Sequence, residues 1–379
     1  MTKQKHNKTG LVAVVLLTIS AFYLLYIVVY RSSMLHATFD PAVFKKAYEE
    51  SQWMVPNSKK PIGDTWLYAY SGYKYINGEN PILISPEVPP VGKYLIGIFI
   101  LLFHNYQLVS LFAALLTLFF IHGIVRMHTR SPLPAALAVW ITSLHPIFVD
   151  QLTTAPQLEI IQICFLMLFL YLFTLYEKKR QWRYLIFSAI GLGLFVSTKL
   201  VLIFFPLAMA WLFCIYVFDK KRRARIFTEI PLIVAVTSLT YIVTYSRLFI
   251  LGASVMRFLG MHKWIYTFYA ISQIQSDKLY GSFLTLIFFN QWKVWSEGYP
   301  TVTYQNWTLY WPAIMIVGIV CTILFIIKKH SSPLFMMVLS LVAIYSVILF
   351  FIPIFPRYLV MFFIPLHILI ALYIDTLVS

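Results

Sequence analysis

Residues 182–218, WRYLIFSAIGLGLFVSTKLVLIFFPLAMAWLFCIYVF, run for thirty-seven positions with only Arg183 and Lys199 charged. About 20 apolar residues carry a helix across a bilayer, so this run is nearly two spans long and must fold back near Ser197-Thr198-Lys199. A charge inside hydrocarbon is costly, and a turn there brings Lys199 to a membrane surface. Working outward, comparable apolar runs occur at 10–30, 106–125, 132–149, 157–176, 230–248, 309–327, 333–353 and 358–377. With the two halves of the central run, 183–198 and 200–218, they predict an all-α polytopic membrane protein. About ten transmembrane helices are expected, in a single membrane domain covering 1–379.

Composition agrees. The chain is 60% hydrophobic and 12% charged, with a mean hydropathy of +0.78, whereas soluble domains are about 25% charged. The formal charge of +16 does not point to nucleic acid, because the Lys and Arg residues fall in short clusters between apolar runs, where topology signals belong. Cys164, Cys214 and Cys321 each lie within an apolar run and lack metal-ligand spacing, so they read as packing residues. The first run has no small-residue cleavage site after it and reads as a retained span. If Lys3, Lys5 and Lys8 are cytoplasmic, alternation puts Arg126–Arg130, Lys178–Arg183, Lys220–Arg225 and Lys328–Lys329 on the same side, and both termini inside. This parity requires that Tyr94–Phe103, ten apolar residues after Pro89-Pro90, does not cross; a re-entrant or interfacial helix is expected there. No soluble domain interrupts the spans, and a prokaryotic plasma membrane is the expected location.

The same topology gathers the polar residues outside. The loops 31–92 and 249–308 are expected to cap a site together with the His145–Glu159 connection, the Lys199 turn and Phe355-Pro356-Arg357-Tyr358. Ionisable groups at span ends are functional candidates by default. Asp64, after Gly63, either caps a short helix ending at Asn77-Gly78 or serves as a general base. Asp40-Pro41 opens the amphipathic stretch Ala42–Trp53 in the manner of an N-cap with proline at the first helical position. Glu159 starts a span, where the helix dipole favours an acid. Lys93 reaches a lipid phosphate or snorkels, and Lys199 and Arg357 read as an anion site or as interfacial cations. The aromatic loop 249–308 reads as an interfacial lid, and its Arg257, His262 and Lys263 are candidates to meet phosphates. Glu87 precedes a Pro-Pro pair that stiffens the entry to the next helix.

The order Asp64, Tyr68-Ala69-Tyr70-Ser71-Gly72-Tyr73, Gly78-Glu79-Asn80-Pro81 and Pro89-Pro90-Val91-Gly92-Lys93-Tyr94-Leu95-Ile96-Gly97 resembles the first outer loop of GT-C glycosyltransferases that use a polyprenyl-phosphate sugar. Protein O-mannosyltransferases and the aminoarabinose transferases of lipid A are the relatives in view. The resemblance implies Asp64 as catalytic base, since the family's Asp stands at a similar distance before the Pro-Pro pair. Thr65 replaces the Glu that usually follows. Asp40 is the rival, because Phe39-Asp40-Pro41-Ala42-Val43-Phe44 resembles the mannosyltransferases' Phe-Asp-Glu-x-x-Phe opening with Pro41 in place of Glu. Glu87 stands where relatives often carry His or Lys, Glu159 takes the second acidic position, Ser188–Lys199 resembles a Gly-rich span ending in Thr-Lys, and Arg357 matches a further basic position. The activity implied by the resemblance is inverting transfer of a sugar from a polyprenyl-phosphate carrier to a protein, lipid or glycan acceptor outside the cytoplasm. No cofactor is implied, and a divalent metal is left open, two outer acids being few for octahedral binding. The alternative is a non-catalytic transporter of lipid or polyprenol carrier, which would call for midplane polar residues and paired half-helices; the sequence has few.

Overall fold

The computed structural model describes residues 2–30, 35–153, 158–270, 276–328 and 332–378. Lys329, residues 154–157 of the connection before Glu159, and parts of both capping loops lie outside them. The described residues are mainly helical. In chain order the helices are α1 (Thr2–Tyr30), α2 (Pro41–Glu49), α3 (Asp64–Ile76), α4 (Val91–Phe103), α5 (Leu108–His128), α6 (Leu133–Leu144) and α7 (Pro146–Thr153). Next come α8 (Leu158–Lys179), α9 (Trp182–Val196), α10 (Val201–Val217), α11 (Lys220–Arg223), α12 (Ile226–Val243), α13 (Ser246–Ile250) and α14 (Val255–Ala270). The last are α15 (Ser282–Phe289), α16 (Tyr310–Ile327), α17 (Pro333–Phe351) and α18 (Val360–Val378). A two-stranded antiparallel ribbon pairs β1 (Trp292–Lys293) with β2 (Thr301–Val302).

The fold is an all-α polytopic membrane fold. Among the described residues, seven helices are long and apolar enough to cross a membrane, or eight if α6 and α7 form one bent span. The expected ten runs all form helices, but α9 and α10, with 15 and 17 residues, are shorter than these spans, and ten crossings are not confirmed. Nor is 132–149 one straight span. Its axis bends by 64° between α6 and α7, because a residue before proline avoids the helical region and His145, before Pro146, is extended. The ring of His145 caps the break, accepting from the amide of Ile147 at 3.2 Å.

Helices α8 and α18 are the most buried of the spans, and α1 and α12 the least. α1 therefore presents Leu11, Val14, Phe22, Leu25 and Val29 outward, as a helix in lipid can without penalty. The turn expected in the central run forms where anticipated. α9 stops at Val196, the hydroxyls of Ser197 and Thr198 cap the carbonyls of Gly193 (2.6 Å) and Leu194 (2.7 Å), and α10 restarts at Val201. Leu200 takes φ 42°, in the left-handed region, a strained state for a branched residue that persists only where neighbours fix it. They do: Gln162 donates to the carbonyls of Phe195 and Lys199, both at 3.3 Å, and the amide of Val91 donates to Ser197 at 3.1 Å.

The first loop is built on α3 and α4, which cross at Gly72 and Gly97. A methyl group on Gly72 would overlap the carbonyl of Lys93 and the amide of Gly97, and one on Gly97 would overlap the carbonyl of Gly72. This contact fixes α3, and with it the residue that opens α3, Asp64. Gly97→Ala should therefore lower stability by about 1–3 kcal/mol, the range for overpacking a tight contact. Gly260→Ala, which has open space around it, should leave the melting temperature in detergent unchanged or slightly raised. Equal melting of the two variants would refute the packing argument.

Candidate active site

Asp64 does not cap its helix. Gly63 occupies the cap position, Asp64 is the first helical residue, and its carboxylate turns to the guanidinium of Arg357, Nη2 donating to Oδ2 at 2.6 Å. Arg357 sits in the short turn Pro356–Leu359 that leads into α18, and Tyr345 donates to the carbonyl of Tyr358 at 3.0 Å to hold that turn. Its Nε also lies 2.9 Å from Glu159 Oε1, an ion pair without the alignment of a hydrogen bond. Glu159, in the first turn of α8, accepts from the ammonium of Lys199 on the same oxygen. Lys199 lies in addition over the ring of Tyr358, 4.7 Å from its centre.

Four segments remote in the chain thus meet in one line of alternating charge: Asp64, Arg357, Glu159, Lys199. Its inner end is buried, with Glu159 2% and Lys199 4% exposed, while Asp64 at the outer end is 42% exposed. Asp64 Oδ1 has no hydrogen bond among the described residues. Asp64, Arg357 and Lys199 line a cavity of about 560 Å³ together with Glu87 and Tyr68. The remaining wall is apolar and aromatic, from Val201, Leu202 and Ile203 of α10, Ile265, Phe268 and Tyr269 of α14, Trp53 and Trp295.

Glu87 is held by the turn before α4. Ser85, at φ 53°, donates to its Oε1 at 2.7 Å, and Oε2 has no partner among the described residues. Burial pushes this carboxyl above the usual carboxylate range, against the pull of Lys93. Lys93 itself requires a correction. It neither reaches a lipid phosphate nor snorkels; it is fully buried and donates to the carbonyl of Val88 at 2.7 Å and to Ser85. With α4 packed against α3, the side chain points back beneath the 85–88 turn, so its work is to hold that turn.

Of the other candidates, Asp40 is the N-cap of α2, its Oδ1 accepting from the amides of Ala42 (2.8 Å) and Val43 (3.4 Å), and it does not line the cavity. α2 ends at Glu49, short of Trp53. Arg257 and Lys263 lie on the exposed face of α14; that helix turns Phe268 and Tyr269 to the cavity instead. His262 is tied inward to Tyr241 at 2.7 Å. Two positions that shape the site escape a reading of the sequence. One is Tyr68, hinted at only by the Tyr-rich composition of 68–75; the other is the clamp by Arg247, whose Nε donates to the carbonyl of Gly78 at 2.8 Å and anchors the end of α3. Lys199 and Arg357 have no acid beside them in the chain, yet in space both have acidic partners. Among the described residues no three His, Cys, Asp or Glu side chains form a metal-binding group.

The site is thus an acid at the mouth of a cavity in a helical membrane bundle, backed by two cations held in ion pairs. Residues 87–246, under half of the chain, match the family described as dolichyl-phosphate-mannose-protein mannosyltransferase. Among solved structures the fold is similar to that of ArnT from Cupriavidus metallidurans in the apo state, with a TM-score of 0.58 and 16% identity, over 83% of this chain and 55% of that one. The chain thus spans about half the length of the structure it matches. No curated protein matches it in sequence. The matched segment is similar to the mannosyltransferase family, and the fold is similar to that of ArnT. The family match includes Glu87, Lys93, Glu159 and Lys199, and excludes Asp64 and Arg357.

Proposed function

We propose that this chain moves a sugar from a polyprenyl-phosphate carrier to an acceptor outside the cytoplasm, with inversion at the anomeric carbon. The observation that carries the reading is Arg357 standing between Asp64 and Glu159 at the wall of a cavity whose other side is apolar. The acceptor's hydroxyl or amine attacks the anomeric carbon from the face opposite the phosphate, and the bond from that carbon to the phosphate oxygen breaks. The electron pair leaves with the phosphate, and Asp64 takes the acceptor's proton. Lys199 and Arg357 stabilise the charge gathering on the departing phosphate. Both cations are engaged at rest, so an arriving phosphate competes with the two acids for them. As Arg357 turns to the phosphate it releases Asp64 Oδ2, which couples donor binding to freeing the base. The aromatic wall, with α10 and α14, takes the first isoprene units.

Purified protein given a radiolabelled polyprenyl-phosphate sugar should release or transfer the label. Movement of intact carrier between vesicle leaflets with no bond cleavage would instead favour a transporter. Sidedness is tested separately: a membrane-impermeant thiol reagent should label Ser58→Cys in intact cells and spare Gln181→Cys, in the loop between α8 and α9. The reverse pattern would place the cavity on the cytoplasmic side and overturn the assignment of an outer acceptor.

A further inference from the structure

The ends of α10 and α17 remote from the cavity enclose a second space of about 380 Å³, within the usual size of ligand sites. Its two halves differ in chemistry. Cys214, Ile215, Phe218, Met336 and Met337 form an apolar slot, open to the surroundings at Phe218 and Met336, which are 65% and 43% exposed. Asp219, Lys221 and Arg222 charge the rim, and most of the cations in and around it are engaged. Arg222 is paired with Glu177 at 3.2 Å and Asp219 at 3.5 Å, Arg223 donates to the carbonyl of Val217 at 2.6 Å, and Arg225 is held by Glu229 at 2.6 Å and Glu177 at 3.2 Å.

Lys221 is the exception. Its amide donates to Asp219 at 2.9 Å, but its ammonium has no partner among the described residues. Lys221 is therefore the lining cation without an acid partner among the described residues, and Arg223 nearby on α11 meets only a neutral carbonyl, so positive charge stands beside an apolar slot at the end of two membrane helices. Inorganic phosphate would satisfy the cation and leave the slot wet. A neutral hydrocarbon would fill the slot and leave Lys221 unmatched. A phospholipid with a net negative head group satisfies both, since basic pockets between membrane helices suit such head groups.

We propose that this space binds one anionic phospholipid, its phosphate at Lys221 and one acyl chain along Phe218, Met336 and Met337. The site lies a helix length from Lys199 and is independent of the sugar-transfer reading. Native mass spectrometry of the detergent-purified full chain should detect one retained phosphatidylglycerol, preferred over phosphatidylcholine of the same chains by about fivefold, the factor one basic residue supplies near a lipid surface. Lys221→Glu should abolish the preference, and Met336→Trp, which fills the slot, should remove the retained lipid of either kind; both variants should keep the wild-type melting temperature in lipid-free detergent. Millimolar inorganic phosphate should not displace the lipid, and displacement would show a plain phosphate site in its place. Equal retention of the two lipids by the wild type, or an unchanged preference in Lys221→Glu, overturns the proposal. So does a wild-type dimer that Met336→Trp splits, because the slot would then be a contact between copies.

Discussion

Asp64→Asn is expected to lower sugar transfer by about 10²–10⁴-fold, the range a positioned general base supplies, with donor binding and melting close to wild type. The asparagine oxygen can still accept from Arg357 Nη2, which approaches Asp64 at 2.6 Å, so the line of charges keeps its geometry while the group that takes the proton is lost. Asp40→Asn should leave transfer within a few-fold of wild type, since asparagine caps a helix about as well as aspartate and Asp40 does only that here. Transfer rates of the two variants, measured with the same labelled donor, decide between the acids. Activity in Asp64→Asn together with its loss in Asp40→Asn would mean that the base has been misassigned.

Lys199→Met is expected to produce the largest structural effect. It leaves the carboxylate of Glu159 buried, with one misaligned contact to Arg357 and an oxygen that already has no hydrogen bond. Removing one member of a buried ion pair typically costs about 3–5 kcal/mol, whereas replacing both by apolar groups is often neutral. The melting temperature should accordingly fall in Lys199→Met and recover in Lys199→Met/Glu159→Leu, while turnover stays low in both. Arg357→Lys should keep part of the activity, because an ammonium offers charge without the planar fork that spans two acids. Wild-type melting and turnover in the single Lys199 variant would show that the pair matters neither to folding nor to the phosphate.

The helices are legible in the sequence because bilayer crossing demands length and apolarity, and both are local properties. The turn at Ser197-Thr198-Lys199 is legible for a related reason: a cation within a thirty-seven-residue apolar run has few places to go. The site is legible as a set of residues and not as a set of pairs. Asp64, Glu87, Glu159, Lys199 and Arg357 all stand out in the sequence, but Arg357 lies 293 positions from Asp64, and Lys199 lies 40 from Glu159; no local spacing reports such partners. Lys93 shows the opposite failure. It has the look of a surface lysine near a helix start, and only the close crossing at Gly72 and Gly97 turns it inward beneath Glu87. Arg257 and Lys263 attract notice as charges within an aromatic loop, whereas the face of α14 that meets the cavity is set by its aromatic residues.

The closed line of alternating charge bears on how the site tells its lipid from the others around it. Asp64 and Glu159 balance Arg357 and Lys199, and Glu87 stands near the buried Lys93, so opposite charges lie in pairs and the resting wall casts little field past the Debye length of about 8–10 Å. Common anionic phospholipids outnumber any sugar carrier in a membrane, and a bare pair of cations would stay clogged with their head groups. A neutralised pair draws none of them from a distance. On the function proposed above, entry then goes to the molecule whose sugar and isoprenoid contacts make opening the ion pairs worthwhile, and discrimination rests on the whole ligand instead of on its phosphate.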